Sequence, residues 1–428
     1  MTLLDKVKRG DNIQEIEIVA KKEGRTPEYI HEKFKEGKIV ILKNNKRPRE
    51  IVPLGVGEGL STKVNANIGT SKDKNDIELE LRKLDAAIEA GADTVMDLST
   101  GGELYNIRDT IIKASPVPIG TVPIYDVSVR TVQKGKGMIH MTPDEIFEAI
   151  EDHGKQGVDF ITVHCGVTMS IVEQIIAGER TMGIVSRGGS FLAEWIHYNE
   201  RENPLYEQYD RLLDIARKYE MTLSLGDGLR PGCLADATDR LQIGELVVLA
   251  ELVKRAQDAG VQVIVEGPGH IPLDEVEDNI RIQKEVTRGA PFYVLGPIVT
   301  DVAPGYDHIT SAIGGAIAAS AGADFLCYVT ATEHLALPDE EAVAQGVYVT
   351  RIAAHSGDIV KKVPGAIEWD NNMAKARGDL NWVKQKELSL NPKLAEKIRG
   401  KSMPEDEDVC TMCGEFCAVK KIGEIRKK

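Results

Sequence analysis

Three cysteines close to the end of the chain, Cys410, Cys413 and Cys417, offer the densest set of soft donors in its 428 residues. Three thiolates within eight residues can share one metal centre. A structural zinc takes four ligands, and no histidine or cysteine follows Cys417. A four-iron cluster needs only three thiolates if one iron stays open. An open iron is what S-adenosylmethionine chelates through its amino and carboxylate groups before reductive cleavage to a deoxyadenosyl radical. The other reading is a zinc knuckle completed by a distant ligand. The spacing here is C-x2-C-x3-C, the reverse of the C-x3-C-x2-C order common in radical enzymes.

Further candidates lie upstream. His270 and His334 stand beside Glu266 and Glu333. Two imidazoles suit a zinc or iron ion, although each alone also reads as a structural histidine. Val185-Ser186-Arg187-Gly188-Gly189-Ser190 precedes a helical pattern. Its paired glycines let the backbone approach a ligand, the helix start attracts an anion, and Arg187 can form charge-assisted bonds to phosphate. An ordinary capping loop would look similar. Asp227-Gly228-Leu229-Arg230 lies on a glycine-bounded turn that can hold a polar ring or ribose hydroxyls, or simply an ion pair. Glu266 opens Glu-Gly-Pro-Gly-His270, a carboxylate hard to explain by packing.

Something must bring these groups together. Eight short apolar runs, at residues 63–68, 94–98, 118–124, 159–164, 222–225, 261–266, 292–297 and 324–329, alternate with amphipathic stretches. That alternation predicts an α/β fold, a (β/α)8 barrel, and nearly every predicted strand ends in a functional side chain or a glycine. Active sites of such barrels lie at the C-terminal strand ends. An open sheet would concentrate them at one switch point. The predicted organisation is an N-terminal region at 1–60, the barrel at 61–335, a helical region at 336–400 and a mobile cysteine tail at 401–428. Helices are expected at 339–362, 371–388 and 392–399.

The formal net charge is −14 and the sequence pI about 5.3. That disfavours nucleic-acid and anionic-membrane partners, which need a basic face. The first residues, Met-Thr-Leu-Leu-Asp-Lys, contain no apolar signal core. The apolar stretch at 313–329 is interrupted by Asp324 and is short for a membrane span. A cytoplasmic protein is expected, and in a reducing compartment clustered cysteines read as metal ligands.

Taken together the motifs resemble the phosphomethylpyrimidine synthase family of thiamin biosynthesis. The likeness runs from Asn65 to Cys417, through Asn-Ala-Asn67-Ile-Gly, Met96-Asp-Leu-Ser-Thr-Gly-Gly, Pro-Ile-Tyr125-Asp, Val-His164-Cys-Gly, the Ser186-Arg187-Gly188 loop, Asp227-Gly-Leu-Arg230-Pro-Gly, Glu266-Gly-Pro-Gly-His270 and Thr-Glu-His334-Leu. The resemblance implies a radical rearrangement of aminoimidazole ribotide to hydroxymethylpyrimidine phosphate, with release of formate and carbon monoxide. It implies that Asn67, Met96, Tyr125, His164, Ser186, Arg187, Gly188, Asp227, Gly228, Leu229, Arg230, Glu266 and Tyr293 meet the substrate, with Glu266 catalytic. His270 and His334 would hold Zn2+ or Fe2+, and Cys410, Cys413 and Cys417 a [4Fe-4S] cluster that works with S-adenosylmethionine. A homodimer and a low-potential electron donor such as flavodoxin or ferredoxin would be the partners. The tail is one residue shorter than the family's usual C-x2-C-x4-C. A paralogous branch that makes hydroxybenzimidazole shares that trait and stays open, as does a barrel metallohydrolase or aldolase carrying a zinc knuckle.

Overall fold

The computed structural model describes residues 1–178 and 180–426. They divide into two compact units, residues 1–361 and the residues from 362 onward.

The first unit starts with three helices, Leu3–Lys8, Gln14–Glu23 and Pro27–Lys35, and an antiparallel pair, β1 (Ile39–Leu42) and β2 (Leu54–Gly57). Alternate side chains of a strand point to opposite faces, and β1 uses both. Ile39 and Ile41 join Val7, Val19, Ile30 and Phe34 in a small N-terminal core. Val40 and Leu42 belong to the main core. Region 1–60 is thereby a small helical module resting on a two-stranded sheet.

Eight parallel strands follow and close on themselves: β3 (Lys63–Ile68), β4 (Thr94–Asp97), β5 (Ile119–Thr121), β6 (Phe160–Val163), β7 (Thr222–Leu225), β8 (Val263–Gly267), β9 (Phe292–Leu295) and β10 (Phe325–Cys327), with β10 paired to β3. Each expected strand is present, so the fold is the (β/α)8 barrel. The third is shorter than its apolar run suggests. Pro123 starts the helix Pro123–Gln133, because proline suits the first helical position, and Tyr125 and Asp126 therefore sit on a helix. Aromatic rings fill the barrel: Tyr293 stacks on Phe325 at 4.2 Å, and Phe160 meets Phe325 edge-on at 6.2 Å. Gly120 makes room for Phe160, since a Cβ there would lie 2.3 Å from its ring.

Helix Glu340–Val360, capped by Asp339, closes the first unit. In the second unit the stretch expected as one helix at 371–388 is two, Ala366–Gly378 and Trp382–Leu388. Leu380 turns through a positive φ of 52°, and Asn381 caps the new helix by accepting the Lys384 N–H. Helix Pro392–Gly400 and the cysteine segment follow. No helix among the described residues is long and apolar enough to cross a membrane.

Candidate active site at the barrel mouth

One cleft at the C-terminal end of the barrel is lined by Asn67, Met96, Tyr125, His164, Asp227, Arg230, Glu266 and Tyr293, with Thr162 and Cys327 between them. Strand register explains the company. Asn67 pairs with Met96 across β3–β4, and Glu266 with Tyr293 across β8–β9.

The floor is a polar ladder. Asn65 Nδ2 donates to Asn67 Oδ1 and to the Tyr293 hydroxyl, each at 2.8 Å. Asn65 Oδ1 accepts from Thr94 Oγ1 at 2.7 Å. Asn67 Nδ2 lies 3.1 Å from the Cys327 sulfur, whose thiol burial pushes up to about 12. Glu266 Oε1 accepts from both Thr162 Oγ1 and Ser224 Oγ at 2.6 Å. Burial raises its carboxyl even so. Oε1 is thus committed to the wall, while Glu266 still lines the cleft.

Asp227 and Arg230 stand on the turn after β7, joined at 3.2 Å. Arg230 also faces Glu266 and Glu333. One guanidinium faces three carboxyl groups, so they titrate as one coupled cluster. Burial, the largest cause, pushes Asp227 up to about 8. Gly228 and Leu229 serve the turn rather than the cleft lining. Their N–H groups donate to the buried Glu245 carboxylate at 2.9 and 2.8 Å.

The Ser186-Arg187-Gly188 loop opens the helix Arg187–Asn199, with Ser186 accepting the Gly189 N–H. Ser186 Oγ is 3.1 Å from His164 Nε2. Burial, the main cause, pulls the His164 pKa down to about 3, so its ring is neutral at ordinary pH. Gly188 packs against that ring. A Cβ there would stand 2.2 Å from its Cε1. The Arg187 guanidinium lies 4.5 Å over the Tyr125 ring, which ties the loop to the cleft wall.

His270 and His334 come together, with ring centroids 5.2 Å apart. Burial lowers the pKa of His270, and His334 adds to that. The cysteines lie in the second unit. Cys413 is exposed and Cys417 buried. Backbone amides of Cys413 and Met412 lower the Cys410 thiol, and the Cys410 charge raises Cys413. The segment before them is pinned. Trp382 Nε1 donates to Asp408 O at 3.0 Å, and Arg399 donates to Glu407 O and Val409 O at 2.6 and 3.2 Å. Among the described residues, no three or more His, Cys, Asp or Glu side chains are arranged to hold a metal ion.

Thr162, Ser224, Asn65 and Glu245 were not among the predicted site residues. Strand parity identifies two of them. Thr162 lies two residues before His164, and Asn65 two before Asn67, on the same strand face.

A closed parallel barrel with one polar, charge-rich cleft at its C-terminal mouth defines a (β/α)8 enzyme. The model of the Radical SAM ThiC family matches residues 2–424, and the chain belongs to that family. It is similar to a phosphomethylpyrimidine synthase of Desulforamulus reducens, 57% identical over 428 residues covering 100% of this chain and 99% of the relative. The enzyme of that name from Thermodesulfovibrio yellowstonii is 56% identical over 421 residues, 98% of each chain. The one from Syntrophus aciditrophicus is 55% identical over 420 residues, again 98% of each.

Membership implies S-adenosylmethionine and an iron–sulfur cluster. The cysteine segment fits a cluster by its donors: three thiols, two of them already sharing a hydrogen bond, one with a lowered pKa.

Proposed function

We propose that this enzyme is the phosphomethylpyrimidine synthase of thiamin biosynthesis. It converts aminoimidazole ribotide to hydroxymethylpyrimidine phosphate and releases formate and carbon monoxide. The observation that carries the reading is the single cleft that unites Asn67, Met96, Tyr125, His164, Asp227, Arg230, Glu266 and Tyr293, in a chain 55–57% identical to relatives of that name.

Each part of the substrate has a counterpart. The Ser186-Arg187-Gly188 loop receives the phosphate, where a helix N-terminus and a guanidinium favour an anion. Gly188 keeps the backbone close, because any side chain there strikes His164. Asp227 and Arg230 meet ribose hydroxyls, and the asparagine ladder and Tyr293 orient the imidazole. Glu266 moves a proton at the ring: its Oε1 is anchored by two hydroxyls, and burial raises its carboxyl, which favours holding a proton. The cluster on Cys410, Cys413 and Cys417 supplies, when bound, the electron that cleaves S-adenosylmethionine. His270 and His334 hold a divalent cation of zinc or iron type; two imidazoles at this separation, with carboxylates nearby, fit one. A homodimer, a low-potential donor such as flavodoxin or ferredoxin, and a cytoplasmic setting complete the reading.

The test is anaerobic reconstitution with dithionite, S-adenosylmethionine and aminoimidazole ribotide, with products identified by mass spectrometry. Hydroxymethylpyrimidine phosphate and deoxyadenosine are expected. Hydroxybenzimidazole would move the enzyme to cobamide synthesis. No deoxyadenosine from protein that holds its cluster would overturn the radical reading.

A further inference from the structure

Asp307 belongs to the segment Pro304-Gly305-Tyr306-Asp307-His308. It opens the helix Asp307–Ala321. An acid suits that end of a helix, which accounts for the residue type but not for its setting. Asp307 is only 3% exposed. Its Oδ2 is buried without a hydrogen-bond partner, so the carboxylate does not cap its own helix with that atom. A buried carboxylate oxygen left unpaired is costly. Such groups persist where they have a task.

The other oxygen indicates the task. Asp307 Oδ1 stands 3.4 Å from Nδ1 of His334. His334 itself lies outside regular secondary structure, in the turn after β10, and its side chain is 44% exposed. Its turn is held by local bonds, such as Leu335 N–H to Thr332 O at 2.9 Å. His270 is fixed more firmly. Its N–H donates to Pro231 O at 3.2 Å, and it bridges to Ile298. Of the two imidazoles, His334 is the one that needs an outside group to set its ring. A carboxylate on one ring nitrogen fixes the tautomer and presents the other nitrogen to a metal.

We propose that Asp307 is a positioning residue for the two-histidine metal site. It accepts the Nδ1–H of His334, selects that tautomer and leaves Nε2 as the donor that shares a divalent cation with His270. This rests on the reading of His270 and His334 as a cation pair.

The test uses the full chain with its cluster assembled, so that the tail cysteines are occupied. Zn2+ is titrated in competition with a chromophoric chelator. Wild type is expected to bind one Zn2+, and His270→Ala to lose it. Asp307→Asn should bind about 10–100-fold more weakly, the usual cost of removing an outer carboxylate, with an unchanged melting temperature. Wild-type affinity in Asp307→Asn, alongside loss in His270→Ala, overturns the role of Asp307 and leaves the site standing. Wild type without His270-dependent Zn2+ overturns the site itself, and Asp307 with it. If Asp307→Asn fails to fold, histidine 15N NMR of the Zn2+-loaded wild type decides. Protonated Nδ1 and metallated Nε2 on His334 are expected, and metallated Nδ1 overturns the proposal.

Discussion

The barrel mouth and the cysteine segment are built by opposite constructions. The cleft draws its groups from all eight barrel strands or the segments after them, and most are buried and bonded to a second residue elsewhere in the sequence. Glu266 depends on Thr162 and Ser224, Asn67 on Asn65 and Cys327, and His164 on Ser186. The cysteines depend on eight consecutive residues. Their thiols are tuned by amides of that same segment, and Cys413 is open to solvent. A site that must recognise a whole small molecule needs distant donors held rigidly. A site that binds iron needs only thiolates close enough to share it.

That contrast predicts separable failures. The largest is Cys410→Ser, which should abolish the cluster's visible absorbance and all turnover while the barrel's melting temperature stays within about 1 °C, since no buried core residue is touched. A large drop in melting temperature would mean that the segment is structural. Next comes Glu266→Gln, which keeps the shape but cannot exchange a proton. Product formation should fall by about 100-fold or more, with the cluster spectrum retained. Activity within threefold of wild type would leave Glu266 as a mere bracket for Thr162 and Ser224. Arg187→Ala should raise KM for aminoimidazole ribotide about tenfold with a smaller change in kcat, the signature of a lost charge-assisted contact. Equal falls in kcat and kcat/KM would instead put Arg187 at the reacting atoms.

The smallest expected effect is on stability against pH. Asp227 has its pKa pushed up to about 8 by burial, whereas an Asp in an unfolded chain ionises near 3.9. Between those values the native state binds more protons than the unfolded one, so stability falls as pH rises through that window. The melting temperature of substrate-free enzyme should therefore drop between about pH 4 and 8, and less steeply in Asp227→Asn. Equal slopes would mean that Asp227 is already ionised against Arg230 and that the proton sits elsewhere in the cluster.

Much of this architecture was legible in residue order. All eight barrel strands stand where apolar runs alternate with amphipathic stretches, because a buried parallel strand and an outward helix impose different periods. The third strand came out shorter, since Pro123 favours a helix start and the apolar pattern of Val122 and Ile124 cannot distinguish a strand from a buried first turn. The helical stretch at 371–388 broke at Leu380 for a similarly local reason, the competing cap at Asn381. Glu245 was invisible. It lies in the amphipathic helix Arg240–Asp258 among other acids, and only its burial under Gly228 and Leu229 sets it apart. Asp307 reads as an ordinary first-turn acid until His334, 27 residues later, is seen beside it.

The sequence alone determined the barrel, the strand ends that carry polar groups, and the spacing of the three thiols, because periodicity and short-range spacing are local properties. Which groups meet was decided by closure of the sheet. Pairing β10 with β3 is what sets Cys327 beside Asn65 and Asn67, more than 250 residues apart in the chain. The raised pKa of Asp227, the neutral ring of His164 and the partner of His334 follow from burial and neighbours. Those are set by the dielectric and the distances of the folded state, which no local pattern encodes.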